Sequence, residues 1–134
     1  MNSLFSVKDQ VVVITGAGGA LAGTAALHLA SEGAVTVLLG RTLPKLEAVA
    51  AEIRRAAPDA RTLPLTADVL DRGALESVRD RVLNEFGRID SLINGAGGNM
   101  PGATISPEKT FFDLDPAAFR EVLDLNLTGT VLPT

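Results

Sequence analysis

The chain has 134 residues, no cysteine and a formal net charge of −4. That length fits one domain or a portion of one, the missing cysteine excludes disulfides and thiolate metal sites, and scattered basic residues in an acidic chain argue against a nucleic-acid partner. No apolar run approaches the ~20 residues that span a bilayer, and residues 1–9 lack a basic stretch followed by an apolar one, so a cytoplasmic protein with no membrane partner is expected.

Short β-rich runs alternate with longer helical ones. Residues 11–15, Val-Val-Val-Ile-Thr, form a continuous apolar run, as in a strand buried on both faces of a parallel sheet. Residues 20–31 are good helix formers ending before Gly33. A second buried strand covers 35–39. A helix over 44–57 has Pro44 in its first turn and Pro58 beyond its end. The third strand, 61–66, contains Pro64 and is therefore expected at a sheet edge. A helix over 71–86 is closed by Gly87, and a fourth strand covers 89–94. Residues 99–113 read as a long loop, and residues 116–130 as a final helix. The alternation predicts an α/β fold: a Rossmann-type doubly wound parallel sheet, strand order 3-2-1-4, within a single domain over 1–134. A hydrophobic content of 46% is rich for so short a chain, and the sheet is expected to be truncated before its later strands.

The first strand runs into Thr15-Gly16-Ala17-Gly18-Gly19-Ala20-Leu21-Ala22-Gly23 and then a helix. Glycines let the backbone turn tightly and approach a pyrophosphate, and the helix N-terminus offers unpaired N–H groups to it. The spacing fits T-G-x-x-x-G-x-G better than G-x-G-x-x-G, with Ala20 and Ala22 in place of the second and third glycines. Asp68-Val69 follows the third strand, Asn94-Gly95-Ala96-Gly97 the fourth, and Asp124-Leu125-Asn126-Leu127-Thr128-Gly129 lies in the last helix.

Taken together these four segments resemble the short-chain dehydrogenase/reductase family across essentially the whole chain. The resemblance implies a cofactor site at Thr15, Gly16, Gly18, Gly19, Ala20, Leu21, Asp68, Val69, Asn94, Gly95, Ala96 and Gly97. Asp68 would meet the adenine amino group. Gly95 stands where the family pattern N-N-A-G has its second Asn. Asn126 would be the catalytic Asn of an Asn-Ser-Tyr-Lys group. Gly97-Gly98-Asn99-Met100-Pro101 and Thr110-Phe111-Phe112-Asp113-Leu114-Asp115, with a lengthened loop between, resemble the D-mannonate oxidoreductase or fructuronate reductase-like branch. That branch implies hydride transfer between a nicotinamide cofactor and a carbonyl or secondary alcohol, with a sugar acid as substrate.

Where NAD-binding relatives place an acid at the end of the second strand, this chain has Gly40-Arg41-Thr42. Arg41 can pair with a 2′-phosphate, so NADP(H) is favoured, with NAD(H) as the alternative. Glu32 and Glu47 fall on helices and do not replace the acid. The family's acid/base is a tyrosine tuned by a lysine, and the chain contains no tyrosine. The sole histidine, His28, lies mid-helix and reads as a solvated residue. No metal site is expected. The chain is therefore expected to be the cofactor-binding half of such an enzyme and inactive alone, with a non-catalytic nucleotide-binding module or a structural protein of the same fold as alternatives. The open fourth strand and apolar last helix lead to an expected homo-oligomer.

Overall fold

A computed structural model describes residues 4–134. Four parallel strands, β1 (Val11–Thr15), β2 (Val35–Gly40), β3 (Thr62–Thr66) and β4 (Ser91–Asn94), form one sheet in the order β3-β2-β1-β4. The register sets Val13 against Val37 on one side and Leu92 on the other. This is the doubly wound order expected from the alternation of strands and helices.

Every residue of β1 is buried, and successive side chains serve opposite faces. Val12, Ile14 and Leu38 pack toward helices α1 (Ala20–Ser31) and α2 (Leu43–Ala56). Val11, Val13, Val37 and Leu39 pack toward α3 (Arg72–Phe86). Small residues at four-residue intervals, Ala22, Ala26 and Ala30, line the buried side of α1. They let the helix lie close to the sheet, so its N-terminus abuts the end of β1. Leu46, Ala50 and Ile53 do the same for α2 with bulkier side chains.

Asp71 caps α3 by accepting a hydrogen bond from the Ala74 N–H, an arrangement worth about 1 kcal/mol. Gly87, at φ +76°, ends the same helix. Pro64 lies in β3, which is an edge strand as expected. There its missing N–H leaves the central ladder intact.

Most boundaries lie within a residue of expectation, and two elements depart further. β4 begins at Ser91 rather than at residue 89. Ile89 is 39% exposed, and Asp90 uses its carboxylate as well as its backbone to join β1. The last helix is interrupted. Its α4 segment (Pro116–Leu123) passes into a π-helical turn over Asp124–Thr128 and then a short helix, α5 (Gly129–Val131). The 99–113 loop holds two 3₁₀ turns, Pro101–Ala103 and Phe111–Asp113.

Candidate functional site

The C-terminal ends of all four strands open onto one groove of about 310 Å³. Its lining brings together Gly16, Gly18 and Gly19 after β1, Arg41 after β2, Asp68 and Val69 after β3, and Gly95, Ala96 and Gly97 after β4. Crevices outside the carboxyl ends of parallel strands are where doubly wound sheets bind ligands. A larger groove of about 570 Å³ lies on the α3 side of the sheet, between Leu75, Val78, Leu92 and Val131–Thr134. It is mainly apolar and contains none of the glycine turn.

The glycine turn is built around contacts between backbones. Gly16 has φ +66°, in the left-handed region that disfavours side chains. A Cβ there would lie 2.5 Å from the Gly95 carbonyl oxygen and 2.7 Å from the Ala96 nitrogen. The space that Gly16 keeps clear is therefore occupied by the loop after β4, rather than being reserved for phosphate alone. Thr15 is fully buried beneath this turn. Its hydroxyl oxygen accepts hydrogen bonds from the N–H groups of Gly95 and Ala96, both at 3.1 Å. Thr15 thus joins the two loops that form the floor of the groove.

The start of α1 is left open to an anion. Gly19 is its N-cap, no side chain caps it, and its first turn contains no acidic residue. The N–H groups that a helix leaves unpaired at its start are at the groove beside Gly18 and Gly19. Ala20 and Leu21 begin the helix itself, and Leu21 is 90% exposed.

Two departures from the family motif meet in space. A Cβ on Gly95 would lie 2.7 Å from the Ala22 Cβ and 2.6 Å from the Thr15 carbonyl oxygen. Ala22 stands at a motif glycine and Gly95 at a motif asparagine, so the methyl group gained on α1 faces the side chain lost from the loop.

Of the polar residues predicted for the site, Asp68 lines the groove, whereas Asn94 and Asn126 are not among its lining residues. The Asp68 carboxylate accepts from the Leu70 N–H at 2.9 Å, which orients it at the end of β3. The Asn94 amide donates to the Thr134 hydroxyl at 3.2 Å. Asn126, in the π-helical turn, donates to the carbonyls of Gly98 (2.7 Å) and Val122 (2.8 Å) and accepts from the Gly98 N–H (3.1 Å). Its side chain clasps the Gly98 backbone from across the loop. Gly97 keeps clear of that clasp, because a Cβ there would lie 2.7 Å from Asn126 Oδ1.

Thr42, Lys45, Leu46, Ala67 and Leu125 also line the groove and were missed by sequence reasoning. In the structure Leu46 and Ala67 are buried and Lys45 is exposed. The place of Lys45 and Leu46 in the groove follows from how α2 docks on the glycine turn, which no local pattern encodes, and that of Ala67 from its position at the end of β3. Among the described residues, no group of three or more His, Cys, Asp or Glu side chains could hold a metal ion.

The sequence model described as short chain dehydrogenase matches residues 10–134. The chain belongs to the short-chain dehydrogenase family. It is 40% identical to the uncharacterized oxidoreductase UxuB of Bacillus subtilis, over 95% of this chain and 48% of that protein. The fold superposes on a protein from Haemophilus influenza assigned as a D-mannonate oxidoreductase and solved with bound NAD. The TM-score is 0.86 and the identity 34%, covering 96% of this chain and 49% of that one. A metagenomic short-chain oxidoreductase in complex with NADP gives a TM-score of 0.80 at 30% identity, covering 96% of this chain and 54% of the other. The chain spans about half the length of the curated relatives it matches. These likenesses agree with the branch that the loop motifs resemble.

Proposed function

We propose that residues 10–134 are the cofactor-binding portion of an NADP(H)-dependent oxidoreductase acting on a carbonyl or secondary alcohol, with a sugar acid as substrate class. One observation carries the reading: a single groove joins the uncapped start of α1, the glycine turn, Arg41 and Asp68. The donor set suits a dinucleotide. Backbone N–H groups beside Gly18 and Gly19 would hold the pyrophosphate, Asp68 and Val69 the adenine, and Arg41 a 2′-phosphate. When bound, the nicotinamide supplies or accepts the hydride. Ala96 and Gly97 would flank the cofactor, and Asn126 would act by fixing the Gly97-Gly98 backbone beside it. It is a positioning residue in this reading, because every polar atom of its side chain already has a partner.

The chain contains no tyrosine, so the acid/base step of the family has no residue here to perform it. Turnover by these 134 residues is not expected. A cytoplasmic homo-oligomer is the proposed context. Among the described residues, no helix is long and apolar enough to cross a membrane. NAD(H) is the alternative cofactor, favoured by the NAD found in the Haemophilus influenza relative.

Calorimetric titration tests the reading. The chain should bind NADPH more tightly than NADH, and Arg41→Ala should weaken NADPH by roughly 1.5–3 kcal/mol while sparing NADH. Equal loss for both cofactors would remove Arg41 from the 2′-phosphate. Robust NADPH-dependent reduction of sugar acids by the purified chain would overturn the assignment of inactivity.

A further inference from the structure

We propose that Lys45 is a second determinant of cofactor choice, completing with Arg41 a two-cation grip on the adenosine 2′-phosphate; the proposal rests on the dinucleotide reading above. Three packing facts lead to it. The end of β2 carries no acid, and a side chain there would be tightly packed. A Cβ on Gly40 would lie 3.1 Å from Leu46 Cδ2, and Leu46 is only 1% exposed in the core. A side chain at position 40 would therefore press on the buried anchor of α2, which would have to give by a few tenths of an ångström.

The same docking lays Lys45 against the phosphate turn. A Cβ on Gly18 would lie 3.0 Å from Lys45 Cβ and 3.8 Å from Lys45 Cδ. The aliphatic stem of Lys45 thus runs over Gly18, filling space that a side chain at position 18 would otherwise take. A stem held in this way carries its ammonium along the groove while keeping it in water. It links the glycine turn to the Arg41 end of the same groove.

Neither cation is neutralised. Among the described residues the ion pairs involve Arg54, Arg72, Arg79, Arg81 and Arg88, and neither Arg41 nor Lys45 takes part. The groove has one carboxylate, Asp68, which is engaged with the Leu70 N–H. Two unpaired cations on adjacent walls suit a phosphate dianion better than a neutral ribose hydroxyl. Arg41 would offer a planar fork and Lys45 a mobile point charge.

The test titrates the intact chain with NADPH, NADH, adenosine 2′,5′-bisphosphate and 5′-AMP. Lys45→Met keeps the stem over Gly18 and removes the charge. It should weaken NADPH and the bisphosphate roughly tenfold, leave NADH and 5′-AMP within about twofold, and flatten the salt dependence of NADPH binding. Lys45→Arg should restore most of the affinity. Loss of NADPH and NADH alike would place Lys45 on the pyrophosphate and overturn the proposal. No change in either would overturn it too, while Arg41→Ala still reports on the primary reading. A wild-type chain that binds neither nucleotide overturns both. Circular dichroism melts of each variant separate lost binding from lost folding.

Discussion

Gly16 shows how one residue can serve folding and binding together. Its positive φ disfavours any side chain, and the Gly95 carbonyl stands 2.5 Å from where its Cβ would be. Gly16→Val should therefore abolish dinucleotide binding by pushing the β1 turn off the β4 loop, lowering thermal stability at the same time. Calorimetry and a melting curve on the same sample check this. Full stability with lost binding would instead mean that the residue only clears room for phosphate. The sequence showed that Ala22 and Gly95 each depart from the family pattern. It could not show that they touch, because their contact depends on how α1 lies on the sheet. Lys45 was hidden for the same reason: its neighbour Gly18 belongs to another element, and nothing in the local pattern of α2 distinguishes it from a solvated lysine.

Strands buried on both faces announce themselves by composition, so β1 and β2 were legible almost to the residue. Where polar side chains replace backbone pairing, the boundary blurs, as at the entry to β4. The Asp90 N–H donates to the Val11 carbonyl at 2.9 Å, and the Asp90 carboxylate accepts from the Val11 N–H at 2.8 Å. Arg88 donates to the other carboxylate oxygen. The Arg88 hydrogen bond, followed by the Val11 N–H, holds the Asp90 carboxyl below its ordinary 3.8. A carboxyl with a depressed folded pKa contributes stability above its unfolded pKa and loses it as pH falls through the folded value. Asp113 obeys the same rule: its carboxylate accepts from the Thr110 hydroxyl and N–H, and is held low by both. Thermal stability should therefore be flat near neutrality and decline below about pH 4. Asp90→Asn should melt lower at pH 7 and lose less than the wild type on acidification. An identical acid limb in the two proteins would show that the Asp90 clasp contributes nothing. The π-helical turn at Asn126 was not legible either. Asp124, Asn126, Thr128 and Gly129 are weak helix formers, but low propensity does not specify a π-helical turn; there the Asn126 side chain holds the Gly98 backbone and Gly129 packs against Val69.

At the scale of the molecule, the buried and exposed apolar surfaces are divided unevenly. The sheet and α1–α3 enclose two apolar cores, one on each face, whereas Phe119, Leu123, Leu127 and Val131, running from α4 through the π-helical turn to α5, are between 47% and 63% exposed. Their four-residue spacing places them near one side of the helical segment. Phe111 and Phe112, edge to face at 5.7 Å, add exposed aromatic surface in the preceding loop. β4 pairs with β1 on one side only, which leaves its other edge without a strand among the described residues. Exposed apolar surface of this kind favours association, and a two-fold dimer is the default symmetry. Sedimentation at micromolar concentration should show a dimer or larger species. Replacing Phe119 and Leu127 together with Glu should shift the chain toward monomer without unfolding it, since both side chains are already substantially exposed and their change leaves the β1–β2 core untouched. A wild-type chain that sediments as a compact monomer would count against the homo-oligomer. If the paired replacement leaves an assembled wild type unchanged, the open edge of β4 becomes the contact to test.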